Sequence, residues 1–486
     1  MQEPRPRPSG KFDATVIYPF LFASYPVLFL YLRNIREVQP QQALAALGVS
    51  LLVAFLAWML TRLLVGRAGK RPLLLFLFLL FFHGYGVYFA AIAGWLPVAS
   101  RPLLAHALAL VLPLGVWLGL SWAVVRSGKD FRRLHQVLGL VVVLLVSWNL
   151  LGILMHVGRA AVSRKRPPLE VRHGARNRAA VPDIYCFVLD EFASLESAQS
   201  RFQYDNAALA DTLRRQGFFI ARNSRSRFWL TEMAIADILN LGEWPDKGDP
   251  FPLIRRNAVA SFLARQGYRI IEFPVQPVSF MEAADLRFHY SLTRASIYFN
   301  DFYRTLLENT LLRFLPDLWR RQKTDFTRFY RQRALHVFDK LPALVKSPGP
   351  KFIFAHVYCP HEPFVFNAQG GMVDAAHAWD HADPRFYLEQ YMFISSKIAE
   401  TTALIVKDSA TPPVIIIQSD HGYRGSLRQG KRQHRVPRDE MVRVFNALYL
   451  PGVAAEQIDP ALSPLNNFRL VFNRYFGARY VLLKNP

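Results

Sequence analysis

Cysteine is nearly absent from this 486-residue chain. The two present, Cys186 and Cys359, cannot form a disulfide framework, and each follows or lies within an apolar run that reads as a buried strand. They are expected as packed thiols, with a single bridge between neighbouring strands as the alternative in an exported domain. Acidic residues are also scarce, 36 against 59 Lys and Arg, for a formal charge of +23. Such an excess suggests nucleic acid, but its distribution does not. Residues 1–158 carry +10, residues 159–182 carry +6, and the last 304 residues only +7. With no zinc-finger spacing and no basic stripe interleaved with aromatics, a nucleic-acid partner is not expected.

What the chain has in excess is apolar sequence, 52% hydrophobic residues and 14% aromatics, more than a soluble enzyme of this length requires. Apolar runs near 13–33, 41–61, 72–97, 102–125 and 134–158 are each long enough to cross about 30 Å of hydrocarbon as a helix. They predict a transmembrane domain of five helices over residues 1–158. No small-residue cleavage site follows the first run, which therefore reads as an anchor and not a removable signal. Lys and Arg flank the N-terminus and the second and fourth loops, 11 in all, against 3 in the first and third. The excess places the N-terminus in the cytoplasm and everything after the fifth span outside. Asp13 and His83, near or within spans, are expected to snorkel or to pack between helices. The basic, proline-containing stretch 159–182 reads as an extended linker, suited to anionic headgroups beside the bilayer.

From Asp183 onward, short apolar strands alternate with helical segments, which predicts an α/β domain over 183–486 with a mostly parallel central sheet flanked by helices. Its organising stretch is PPVIIIQSDHGYRGS, residues 412–426. Val414 to Ile417 read as a strand buried on both faces, ending abruptly in Asp420, His421 and Gly422. In open α/β sheets ligands collect at the carboxyl ends of strands. A carboxylate with an imidazole there suits zinc or manganese, and Gly422 allows a sharp turn. The plainer alternative is an Asx-type turn carrying a chance histidine.

Three other stretches bear on that choice. In PDIYCFVLDEFAS, Ile184 to Leu189 read as a strand delivering Asp190 and Glu191 to the same edge, although an acidic residue after a strand is also a common helix cap. In NSRSRFWLTEMAIADILNLG, Thr231 falls in the first turn of a helix. Its hydroxyl is either an ordinary N-cap or a nucleophile favoured by the helix's positive end and a nearby cation. In KFIFAHVYCPHEPFVF a third buried strand carries His356, and His361 follows in a loop braced by Pro360 and Pro363. Histidines so placed can bind metal, exchange a proton or hold a phosphate oxygen. The basic stretch from Arg424 to Arg438, with Lys431, His434 and Arg435, reads as a substrate-facing loop for an anion or as a solvated one. Residues 281–345, rich in Phe, Tyr, Trp and Arg, predict a helical insertion, suited either to a membrane interface or to a packed subdomain.

These strand-end signatures, in this order, resemble the sulfatase and alkaline phosphatase superfamily, within it the membrane-anchored branch of lipoteichoic acid synthase and the phosphoethanolamine transferases. DIYCFVLDE, NSRSRFWLTEM, FIFAHVYCPHEPFVF, IIIQSDHG, FNALYLPG and SPLNNFRLVFNRYF carry the resemblance. It implies that Asp190, Asp420 and His421 bind one divalent ion, zinc or manganese, beside a nucleophilic Thr231, with a second ion as a further possibility. It also implies that His361 and His356 contact the substrate or a second metal, while Arg435, in the basic stretch, is the candidate for an anionic group of the substrate. The donor would be a membrane phospholipid, the acceptor an envelope glycan or lipid, and the place the inner membrane of a bacterium with the catalytic domain outside. The formylglycine motif of true sulfatases, C/S-x-P-x-R, is missing around both cysteines, which disfavours sulfate esters. Hydrolysis of a phosphate ester, or a non-catalytic membrane scaffold on the same fold, are the competing expectations.

Overall fold

Strand alternation builds the centre of the molecule. In the computed structural model, nine strands run in chain order among the described residues: β1 (Ile184–Leu189), β2 (Phe219–Ile220), β3 (Arg269–Phe273), β4 (Leu286–Arg287), β5 (Lys351–Val357), β6 (Val414–Ser419), β7 (Ser426–Gln429), β8 (Arg432–Arg435) and β9 (Asn446–Tyr449). The structure describes residues 17–35, 38, 40–94, 102–163, 181–243, 248–275, 280–288, 290, 301–314, 316–429 and 432–486. Seven strands form one sheet in the order β2-β9-β6-β1-β5-β3-β4, and β7 with β8 forms a hairpin. The sheet is mixed: β6, β1, β5, β3 and β4 are parallel, while β9 is antiparallel to both β6 and β2. The fold is therefore α/β, with one strand reversed relative to the rest.

Because side chains alternate across a strand, each central strand feeds two cores. Tyr185, Phe187, Leu189, Ile353, Ala355, Ile415 and Ile417 point to one face, where the helix Arg385–Asp408 and the C-terminal end of the helix Pro316–Val345 cover them. Ile184, Cys186, Val188, Phe352, Phe354, Val414 and Ile416 point to the other, under the helices Thr231–Leu239, Ala258–Arg265 and Asn467–Phe476. Each such fully buried side chain contributes about 1.5–3 kcal/mol relative to exposure. Cys186 and Cys359 are both buried and free, packed as thiols without a bridge.

Register then sets the positions that follow. Leu189 lies opposite Ser419 in β6 and Val357 in β5. The next residues, Asp190 and Asp420, thus leave neighbouring strands at the same level of the carboxyl edge.

The chain divides into two units, residues 1–159 with 297–322 and residues 160–296 with 323–486. The first contains helices over Ile17–Arg33, Pro40–Leu64, Arg71–Ala93, Pro102–Arg126 and Arg132–Ser163. Among the described residues four helices are long and apolar enough to cross a membrane; Ile17–Arg33, with 17 residues, is the shorter apolar one. His83 packs between helices, 3.4 Å from the Ser50 hydroxyl. Asp13 lies outside the described residues, as does most of the 159–182 stretch.

The helical insertion expected over 281–345 is not one body. Its start carries the short strand β4, which joins the main sheet beside β3. Its middle belongs to the unit of apolar helices: Phe302 is buried among Val27, Tyr31, Val38, Ala43 and Ala46, and the Arg313 guanidinium lies 4.1 Å from the centre of the Phe89 ring. A side chain at Gly86 would meet the backbone and side chain of Asn309 at 2.6 Å, so glycine is required for that contact.

Candidate active site

Six side chains converge at the carboxyl edge of β1, β5 and β6. Asp190, His356, Asp420 and His421 are exposed by 2% or less, whereas Thr231 and His361 are each 9% exposed. Asp190 Oδ1, Asp420 Oδ2 and His421 Nε2 belong to a group of possible ligands whose donor atoms lie within 4.8 Å of one another. His421 Nε2 is 3.6 Å from Asp190 Oδ1 and 3.4 Å from Asp420 Oδ2.

The histidine's tautomer follows from its partners. His421 Nδ1 is 2.8 Å from the Gly422 carbonyl, which can only accept, so Nδ1 carries the proton and Nε2 presents a lone pair. The Thr231 hydroxyl, 3.2 Å away, donates to that lone pair. Asp420 divides its two oxygens: Oδ1 accepts the backbone N–H groups of Glu191 (3.1 Å) and His421 (2.8 Å), and Oδ2 is left to the site. Among the described residues, Asp190 Oδ1 and Asp420 Oδ2 are buried without a hydrogen-bond partner. Two orphaned carboxylate oxygens facing an imidazole lone pair are what a divalent cation satisfies, and an O, O, N donor set suits zinc or manganese. Burial alone would raise the Asp190 pKa, but the surrounding imidazoles of His361, His356 and His421 outweigh it and hold the carboxyl well below its ordinary range.

Thr231 is the first residue of its helix, after Leu230 at the N-cap position, and its hydroxyl caps nothing. The alternative of an ordinary Thr cap is thereby removed. The side chain is instead presented to His421. His356, on β5, faces Asp190 Oδ2 at 3.3 Å; its burial favours a role behind that carboxylate over contact with substrate.

Gly422 serves a different purpose from the turn expected of it. Its φ is not in the left-handed range; instead a side chain there would meet the carbonyl oxygens of Arg443 at 2.5 Å and Glu440 at 2.6 Å. Backbone from the segment before β9 packs directly on the Asp-His turn. Gly422→Ala is therefore expected to displace that turn, cost about 2 kcal/mol or more, and weaken metal binding, as checked by thermal melting with and without zinc.

Glu191 adopts φ +62, a left-handed conformation that costs a non-glycine residue about 1 kcal/mol or more. Tyr387 holds it there, its hydroxyl donating to the Glu191 carbonyl at 2.8 Å and accepting from Ala193 N–H at 3.1 Å. The turn aims the Glu191 carboxylate away from Asp190's site, toward His361 and Glu362, and these three form a second group of possible ligands. Burial raises the Glu191 pKa against the opposing field of His361. For His361, burial lowers the pKa, but the carboxylates of Asp190, Glu362 and Glu191 outweigh it and raise it to about 9. Opposing them, Arg424 Nη2 lies 2.7 Å from His361 Nε2. A guanidinium only donates, so while Arg424 holds that place Nε2 is a lone pair and the proton sits on Nδ1, 2.7 Å from the Glu362 carbonyl. The raised pKa favours proton uptake at Nε2 once Arg424 withdraws.

No protein-family model matches the sequence, and no curated protein matches it. Solved structures do. The periplasmic domain of EptC from Escherichia coli, in complex with zinc, matches at 13% identity and TM-score 0.43, over 65% of this chain and 87% of that one. The integral membrane lipooligosaccharide phosphoethanolamine transferase EptA from Neisseria meningitidis matches at 12% identity and TM-score 0.41, over 95% of both chains. A 2-O glycosaminoglycan sulfatase matches at 11% identity and TM-score 0.38, over 62% of this chain and 72% of that one. Among the structures it resembles are phosphoethanolamine transferases and sulfatases.

Arg424 is the basic residue that touches His361 and Glu191. Arg435, expected to bind substrate, lies in β8, and its side chain falls outside the described residues, as do Lys431 and the side chain of His434. Glu362 and the partnering of Glu191 with His361 were not anticipated. Arg333 was also not anticipated: its guanidinium lies 5.6 Å from the centre of the Tyr358 ring, which is itself 4.6 Å from the centre of the His361 ring and tilted 40° to it. Arg424 itself opens the basic stretch 424–438 that the sequence marks as a possible anion-facing loop.

Proposed function

We propose that this chain is a metal-dependent, sulfatase-like membrane enzyme. It would transfer a phospholipid-derived headgroup, of phosphoethanolamine or phosphoglycerol type, through a phospho-threonine at Thr231 to an envelope glycan or lipid. The observation that carries this reading is the approach of Thr231 Oγ1 to His421 Nε2, at 3.2 Å, beside two orphaned carboxylate oxygens. Five spans with a cytoplasmic N-terminus would place the enzyme domain on the outer side of a bacterial inner membrane, on the membrane that carries the donor.

Asp190, Asp420 and His421, with Thr231 Oγ1, would hold one zinc or manganese ion. When bound, such an ion favours the ionised form of a coordinated hydroxyl and offsets charge on a phosphoryl oxygen. The remaining steps belong to the chain's own residues. Thr231 gives up its hydroxyl proton to solvent, its Oγ attacks phosphorus, and the bond from phosphorus to the diacylglycerol oxygen breaks. Phosphoryl oxygens draw Arg424 off His361 Nε2, which then takes up a proton from solvent, as its raised pKa favours, and gives it to that departing oxygen. In the second half the acceptor hydroxyl gives its proton to His361, attacks the phospho-threonine and releases Thr231.

Incubation of the purified full chain with radiolabelled phosphatidylethanolamine or phosphatidylglycerol tests the reading. Diacylglycerol release should require zinc or manganese, and labelled headgroup should appear on an added lipid or glycan acceptor. Free phospho-headgroup in equal yield with and without acceptor would instead identify a hydrolase. Absence of any metal-dependent turnover on either lipid, together with no metal binding, would indicate the scaffold.

A further inference from the structure

Beside the candidate metal site, Glu191, His361 and Glu362 bring one donor atom each to within 4.8 Å of one another, a spacing that can hold a divalent ion. A positive charge already stands there. Arg424 Nη2 lies 2.7 Å from His361 Nε2, and the Arg424 backbone N–H donates to Glu191 Oε1 at 2.6 Å. His361 has one lone pair to offer, because its Nδ1 donates to the Glu362 carbonyl. That lone pair is the one Arg424 occupies. We propose that the Arg424 guanidinium is the resident cation of this cluster, standing in place of a second divalent ion and turning its remaining N–H groups toward the oxygens of the transferred group.

Three features support this. The guanidinium feels the charge of Glu191, Asp190, Asp420 and Glu362 together, so it is attracted to both halves of the site. Its backbone is anchored: the neighbouring Tyr423 is buried, with its ring 4.4 Å from that of Tyr387 and 5.1 Å from that of Phe202. And a guanidinium stays charged at any working pH while presenting a planar fork of donors that matches phosphoryl oxygens, so it can supply fixed positive charge without a metal. The inference rests on the proposed function only for the first ion, and makes this a one-metal site by construction.

The test is a metal count on the full chain in detergent, stripped with chelator and titrated with zinc or manganese. Wild type should bind one equivalent. Arg424→Ala should bind two, Arg424→Lys one, and the double variant Arg424→Ala with Glu191→Gln one again. Arg424→Gln, which keeps an amide donor and removes the charge, reads the same gain if the alanine variant folds poorly. An alanine or glutamine variant that melts as wild type does and still binds the wild-type number of ions would overturn the proposal. So would a wild type that binds two, losing one in Glu191→Gln. A wild-type count of zero would defeat the one-ion reading of the function, whereas this inference stands or falls on the difference between the Arg424 variants and wild type.

Discussion

Thr231→Ala should lower turnover by about a thousandfold or more while the fold and the metal content stay close to those of wild type. The threonine is the first residue of its helix, where alanine is well tolerated, and its hydroxyl makes no cap hydrogen bond. What the substitution removes is one hydrogen bond to His421 Nε2, a loss of about 1 kcal/mol in stability. Asp190, Asp420 and His421 remain, and three protein ligands suffice for a catalytic ion. Thr231→Ser keeps the oxygen and should retain a measurable fraction of activity. Rates of diacylglycerol release, read beside bound metal per chain, separate the nucleophile from a ligand: a variant that loses metal and activity together would make Thr231 chiefly a ligand.

Asp420→Asn should reduce metal affinity by at least about a hundredfold and abolish turnover with it, since even residues that merely support a ligand typically cost about 10–100-fold. The asparagine oxygen can keep the backbone N–H groups of Glu191 and His421 that Asp420 Oδ1 accepts. Its amide group would then stand where Oδ2 stands, offering a donor in place of a lone pair. The stability effect has the opposite sign. With chelator present, the variant is expected to melt no lower than wild type, because it removes a buried, orphaned carboxylate oxygen. With zinc at about 100 times the wild-type dissociation constant, wild type gains about 2.7 kcal/mol and the variant nearly none. Thermal melts with and without zinc, on both proteins, check both signs at once.

Much of this site is visible in the amino-acid order because strand ends are simple to read. Val414 to Ile417 and Ile184 to Leu189 are continuous apolar runs that stop at charged residues, and parallel neighbours in register bring those stops to one level. Thr231 falls at a helix start that the change to apolar, helix-forming sequence marks plainly. Other features depend on geometry that periodicity does not encode. The direction of Asn446–Tyr449 is one: its apolar pattern is the same whichever way it runs, and only the structure shows it antiparallel to β6. Glu191's orientation is another, set by a left-handed φ and by Tyr387 from nearly 200 residues away in the sequence. The role of Gly422 turns on the backbone of Glu440 and Arg443, which the sequence separates from it by a hairpin. And the aromatic, Arg-rich stretch around Phe302 gives no local sign of which unit it joins, since Phe302 is buried by residues some 260 positions earlier.

The most direct test is intact-mass and peptide mapping of the full chain after brief incubation with phosphatidylethanolamine or phosphatidylglycerol and zinc, quenched in acid. A mass increase equal to one phospho-headgroup, mapped to the peptide containing Thr231 and absent from Thr231→Ala, is the predicted result. An adduct on any other residue, or active turnover with no adduct at Thr231 even when acceptor is withheld, would contradict it.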